Sequence, residues 1–143
     1  MLINRTPLRI SFLGGGSDFP NFFNKFEGYC LGCSIDKYIY ISSYVPFDKK
    51  LYTIKYSITE KVSNRSKIKH KIIREIFEYF KIETINVTSE AFIKSGTGLG
   101  SSSSFTVGLI KLCLEIKNLS LSNEEIASLA CEIEIEKLGF PIG

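Results

Sequence analysis

Residues 94–104 read Lys94-Ser95-Gly96-Thr97-Gly98-Leu99-Gly100-Ser101-Ser102-Ser103-Ser104, or K-S-G-T-G-L-G-S-S-S-S. Three glycines in five positions give way to four serines and then to an apolar run from Phe105 to Ile116. Within that run Phe105, Leu109, Leu112, Cys113 and Ile116 recur at helical spacing, so the serines open a buried helix. Glycines let the backbone take φ > 0 and approach a ligand closely. The first N–H groups of a helix have no partner inside it, and the helix dipole there favours negative charge. A glycine-rich loop entering a helix is therefore expected to hold phosphate. A flexible Gly/Ser linker is the plain alternative. Against it, the segment is short, contains Leu99 and runs directly between patterned stretches. It is not a Walker loop, because no lysine follows the glycines.

Downstream, Asn118 helps to end the first helix. Ser122-Asn123-Glu124-Glu125 has the form of a capping box that starts another, expected to run to Leu138 with Gly139 as its C-terminal cap. At about 100° per residue, Glu125, Glu132 and Glu136 share a solvated face. Glu134 falls between apolar neighbours, where a carboxylate is costly without a partner. Nucleotide phosphates usually bring Mg²⁺, which prefers one or two carboxylates with hydroxyls and water. Glu134 is thus a candidate metal ligand, with a capped or salt-bridged glutamate as the alternative.

Upstream, Leu2–Leu13 reads as a strand ended by Gly14-Gly15-Gly16-Ser17-Asp18. The residues 29–45 are β-branched and aromatic, and 50–59 alternate, so each is expected to be one strand. Between them Pro46-Phe47-Asp48 marks a turn. The residues 66–80 carry apolar side chains at helical spacing, and 84–92 return to alternation. This order predicts an α+β fold with helices on one face of a mostly antiparallel sheet. Around the first glycine cluster, Arg5, Arg9 and Asp18 allow either a charged surface turn or a glycine-lined pocket. In such a pocket Asp18 accepts hydroxyls and an arginine faces phosphate.

With 143 residues, 44% hydrophobic and 23% charged, the chain is one ordinary globular domain's worth. A net charge of +3 suggests neither a nucleic-acid nor a membrane partner, and no apolar run nears the ~20 residues of a spanning helix. The N-terminus lacks the order of a signal peptide, so a cytoplasmic protein is expected. Cys30 and Cys33 have C-x-x-C spacing, but no second pair and only one histidine accompany them. They read as small buried thiols, and His70, set among lysines, as an exposed side chain.

K-S-G-T-G-L-G-S-S-S-S resembles the phosphate loop, usually P-x-x-x-G-L-G-S-S-A-A, of the GHMP small-molecule kinases. R-T-P-L-R-I-S-F-L-G-G-G-S-D is similar to their first motif in the form seen in D-glycero-D-manno-heptose 7-phosphate kinases. E-I-E-K-L-G-F-P-I-G resembles the helix end before their catalytic aspartate. All three stand in the family's order. The resemblance implies that residues 1–143 form an N-terminal ATP-binding domain, similar to domain 2 of ribosomal protein S5. It also implies ATP and Mg²⁺ as cofactors and a sugar or sugar phosphate as substrate.

The reaction it implies is phosphorylation of a hydroxyl, here the anomeric hydroxyl of D-glycero-D-manno-heptose 7-phosphate. Carried across, Gly96, Thr97, Gly98, Leu99, Gly100, Ser101 and Ser102 bind the nucleotide, and Ser102 and Glu134 hold the metal. Arg9 lies near the transferred phosphoryl, and Asp18 binds the sugar beside Gly14, Gly15 and Gly16. Gly15 and Gly16 leave room where galactokinase-like sequences carry Glu-His. Lys94 replaces the family's proline, and Ser103 and Ser104 replace alanines. The family's catalytic aspartate is expected just after Gly143, whereas Asp18, Asp36 and Asp48 all precede the loop. An incomplete, weakly active or inactive fragment without the C-terminal half is therefore expected. Two other readings stay open: a family kinase for another sugar such as fucose, and a non-catalytic S5-like binding module.

Overall fold

The computed structural model describes residues 1–143 except 18, 49, 92, 94, 95 and 141–143. Strand β1 is Leu2–Leu13, and a short helix α1, Pro20–Phe23, leads to strand β2, Leu31–Tyr44. A hairpin follows, β3 (Tyr52–Lys55) and β4 (Thr59–Val62), where the alternation predicts one strand. The chain reverses there because the Tyr56 N–H bonds the Ile58 carbonyl at 2.9 Å. Helix α2 is Lys71–Tyr79, shorter than the apolar spacing predicts: Arg65–Lys67 is a separate 3₁₀ turn, and Ile68 is extended. Strand β5 (Asn86–Ala91) precedes α3 (Ser101–Lys117) and α4 (Asn123–Cys131).

The five strands run in the order β1-β2-β5-β3-β4, antiparallel at every step except β5–β3, which is parallel. The inward residues Leu8, Ile39, Ile41, Ile54 and Val87 meet Leu109, Ile110, Leu112 and Cys113 of α3 in one core. Each such side chain, fully buried, contributes about 1.5–3 kcal/mol. Helix α3 lies so close to β1 that a Cβ at Gly108 would stand 2.6 Å from the Thr6 hydroxyl. Asn4 Nδ2 donates to the Gly108 carbonyl (2.7 Å), and the Ser104 hydroxyl donates to the Pro7 carbonyl (2.8 Å). These contacts hold the glycine–serine segment over the end of the strand.

Asn118 closes α3 in the left-handed conformation, and Ser122 with Glu125 forms the expected capping box. Past Cys131 the last helix changes character. Glu132–Lys137 is a π-helical turn, in which the Leu138 N–H reaches back to the Ile133 carbonyl at 3.1 Å. That wider turn interrupts the 100° count, yet Glu134 is still buried, while Glu125 and Glu136 are exposed and Glu132 is half-buried. Such turns often mark functional sites.

Candidate phosphate and cation site

The loop that opens α3 is held from below by β1. A register shift between Pro7 and Arg9 frees β1 from its neighbour at that point. The Arg9 N–H then bonds the Leu99 carbonyl (3.1 Å), and its guanidinium Nη1 bonds the Gly98 carbonyl (2.9 Å). A Cβ at Gly100 would sit 3.1 Å from the Arg9 side chain. Gly96, Gly98 and Gly100 all have positive φ, at 86°, 74° and 69°. With loop carbonyls taken up by Arg9, α3 begins at Gly100 with no side chain capping it. Its first-turn N–H groups have no acceptor within the helix, and such a helix end is suited to an anion.

Glu134 comes to this end from the π-helical turn. Its Oε1 accepts the Ser102 hydroxyl at 3.2 Å and, more closely, the Thr106 hydroxyl. Glu134 is 3% exposed, and among the described residues no basic side chain pairs with it. A buried carboxylate satisfied by hydroxyls alone is unfavourable until a cation joins it. The donor set is all hard oxygen, a carboxylate and hydroxyls next to a phosphate-binding helix end. This fits Mg²⁺, which completes its shell with phosphate and water. Ser102 is the exposed member and Thr106 the buried one. Thr106 escapes a reading by motif because its side chain looks like one more core residue of α3.

Arg9 thus contacts Gly98, Leu99 and Gly100, Ser102 contacts Glu134, and Gly96, Thr97 and Ser101 lie on the same segment as the loop. Among the described residues, no hydrogen bond ties Gly14 or Gly15 to this group. Gly14, Gly15 and Gly16 begin five residues beyond Arg9, about 16 Å along an extended strand. Their turn is tied instead to the start of β2, where the Ser17 hydroxyl stands 2.7 Å from the Gly14 carbonyl and 3.0 Å from that of Tyr29. Asp18 and Lys94 lie outside the described residues, as does Gly143. Cys30 and Cys33 are exposed free thiols rather than buried ones, because this end of the β1–β2 ribbon extends past the helices that cover the core.

A cleft of about 950 Å³ opens beside Ser101 and Ser102. Its walls are Ile39 and Tyr40, Tyr56 and Ser57 of the β3–β4 turn, His70 and Ile72 at the start of α2, Ser89–Ala91 and Phe105. His70 is not the exposed side chain its lysine neighbours suggest. Its Nδ1 accepts the Ile73 N–H at 3.5 Å and caps α2, and its ring packs on Tyr56 and Phe105. Burial holds its pKa below the usual 6.5, with the Glu60 carboxylate opposing in part. Glu60, itself buried, accepts the Tyr56 hydroxyl (2.6 Å) and the N–H groups of Lys69 (2.7 Å) and His70 (3.2 Å). Burial and the Glu60 carboxylate push the Tyr56 phenol up to about 12.

Comparison with known proteins identifies the fold. The profile for the GHMP kinases N terminal domain matches residues 66–143. The D-glycero-alpha-D-manno-heptose 7-phosphate kinase of Campylobacter jejuni is 34% identical over 147 residues, a match covering 94% of this chain and 43% of the relative. A crystal structure of a D-glycero-D-manno-heptose 1-phosphate kinase from Bacteroides thetaiotaomicron superimposes with a TM-score of 0.87 at 24% identity, over 99% of this chain and 51% of that one. The mevalonate kinase of Methanococcus jannaschii gives 0.73 at 21% identity, over 97% and 47%. The chain thus spans about half the length of these relatives. Among the described residues no helix is long and apolar enough to cross a membrane. By its matched profile, and by a five-stranded sheet that delivers a glycine–serine loop to a buried glutamate, this chain belongs to the GHMP kinases.

Proposed function

We propose that this chain is the nucleotide-binding part of a cytoplasmic, ATP- and Mg²⁺-dependent sugar-phosphate kinase. Its acceptor is the anomeric hydroxyl of D-glycero-D-manno-heptose 7-phosphate. The observation that carries the reading is the meeting of an uncapped helix start, the Ser102 hydroxyl and the buried Glu134 carboxylate. Phosphoryl transfer depends chiefly on positioning and charge stabilisation, and this arrangement supplies both. The α3 N–H groups bind phosphate oxygens. Ser102 and Glu134 hold the Mg²⁺, which neutralises phosphate charge when bound. Arg9 braces the loop through the Gly98 carbonyl and places a positive charge beside it. The cleft beyond Ser102 accommodates the nucleoside. The turn at Gly14, Gly15 and Gly16, with Asp18, receives the sugar. The C. jejuni heptose 7-phosphate kinase, at 34% identity, supports the choice of acceptor.

Calorimetric titration of the purified chain with ATP tests the nucleotide part. Binding that requires Mg²⁺ and weakens in Ser102→Ala is expected, and Mg²⁺-independent or absent binding overturns the reading. For the acceptor, heptose 7-phosphate should raise the melting temperature in the presence of nucleotide while mevalonate does not. Equal shifts from the two would remove the heptose assignment.

A further inference from the structure

The cleft beside the phosphate loop contains one ring whose hydrogen-bonding role is already set. His70 Nδ1 accepts the Ile73 N–H, so the proton of the neutral imidazole sits on Nε2, which is then a donor. The ring is held in place from two sides. Tyr56 packs edge-on at 4.8 Å and 84°, and Phe105 lies tilted at 5.3 Å and 47°. Glu60 fixes the backbone beneath it by accepting the Lys69 and His70 N–H groups, and its bond from the Tyr56 hydroxyl fixes the neighbouring ring. A donor whose ring is clamped in this way is preorganised, and recognition uses such groups at low cost in ordering entropy. Burial, which lowers the His70 pKa, favours the neutral ring, and the bond from the Ile73 N–H sets its tautomer.

Ser101, Ser102 and His70 all line the same cleft. A ligand whose phosphates rest on the first turn of α3 therefore extends its nucleoside toward His70. Tyr40, Tyr56 and Phe105 supply the aromatic walls that a base packs against. Resting on the nucleotide reading above, we propose that His70 is the residue that reads the base, its Nε2–H donating to an acceptor ring nitrogen of adenine. The cap on α2 and the recognition of the base are then two uses of one imidazole.

The test separates base recognition from phosphate binding. ATP and inorganic tripolyphosphate are each titrated with Mg²⁺ into the wild-type chain, His70→Asn and His70→Gln. Asparagine can still cap α2 but has no group at the Nε2 position, whereas the longer glutamine amide reaches it. Loss of one neutral hydrogen bond should weaken ATP binding about 3- to 10-fold in His70→Asn. In His70→Gln it should remain within about twofold of wild type. Tripolyphosphate should bind all three proteins alike. The inference is overturned if His70→Asn binds ATP like wild type, or if both variants weaken it equally. Parallel loss of ATP and tripolyphosphate in His70→Asn would also overturn it, as damage to the phosphate site. A wild-type chain that binds neither ligand overturns the nucleotide reading itself, and this inference with it.

Discussion

Ser102 and Glu134 stand thirty-two residues apart in sequence, yet the serine hydroxyl donates to the glutamate carboxylate across 3.2 Å. The two come from the first turn of α3 and the π-helical turn that follows α4. Their meeting joins an exposed hydroxyl to a buried charge with no basic partner among the described residues. Such a site is built at the expense of stability and repaid on binding.

Glu134→Gln tests that trade directly. The amide keeps the shape and can still accept from Ser102 and Thr106, but the buried charge is gone. The variant should melt at the same temperature as wild type or higher, while the Mg²⁺-dependent part of ATP affinity falls about tenfold or more. Glu132→Gln, on the solvated face, should change neither. Calorimetry and thermal denaturation check the pair, and a Glu134→Gln protein that loses stability would point to a compensating partner for the carboxylate.

Thr106→Val removes the hydroxyl that reaches Glu134 from inside the core while nearly conserving volume. The carboxylate then keeps Ser102 as its hydroxyl donor, and the uncompensated burial should cost about 1–3 kcal/mol. A shift in the urea midpoint at unchanged slope measures this. Because Glu134 also loses its inner orientation, Mg²⁺-dependent ATP binding should weaken as well. An unchanged midpoint would mean that Thr106 Oγ1 serves mainly its other neighbour, the Ser102 carbonyl at 3.1 Å.

Much of this site was legible in the residues because its devices are local. The glycine spacing, the serines and the helical periodicity of Phe105 to Ile116 all lie in one segment and obey one backbone geometry. Glu134 was legible for a different reason: a carboxylate among apolar neighbours is a conflict visible in any helical count, and it survived the change to a π-helical turn. What depended on long-range packing was not legible. Nothing local says that Arg9 spends its donors on the Gly98 and Leu99 carbonyls, or that Thr106 turns toward Glu134. His70 looked exposed because lysines flank it, whereas Phe105, Tyr56 and Glu60, all distant or across a hairpin, decide its surroundings. The β3–β4 reversal carries no local signal, because alternation continues through Tyr56-Ser57-Ile58 without a glycine or proline to mark the turn.

Gly108→Ala should destabilise the fold although alanine is the better helix former by about 1 kcal/mol. The new methyl would meet Thr6 Oγ1 at 2.6 Å and Ile41 Cδ1 at 3.2 Å, so α3 must move off β1. Overpacking of this kind costs about 1–3 kcal/mol. Adding Thr6→Ala removes the nearer obstacle, so the double variant should recover part of the loss. A Gly108→Ala protein as stable as wild type would show that α3 shifts freely, and the Asn4 and Ser104 anchors would then be unimportant.

Acid sensitivity should come in two steps. The ordinary histidine value is 6.5, and His70 is held below it chiefly by burial. Its ring therefore takes a proton less readily in the folded chain than in the unfolded one. Stability should fall as the pH drops below 6.5 toward the folded value, and this step should vanish in His70→Gln. For Glu60 the ordinary value is 4.5; burial alone would raise it, but the Tyr56 hydroxyl and the Lys69 and His70 N–H groups together hold it lower. A carboxyl harder to protonate when folded contributes stability that is complete above 4.5 and is lost as the pH falls through its folded value. Glu60→Gln should therefore be less stable than wild type near neutral pH, with the gap closing as the pH drops below 4.5. Urea midpoints measured across that range decide the matter: a gap that stays constant on acidification would show that the Glu60 charge contributes nothing to holding Tyr56 and the entry of α2 in place.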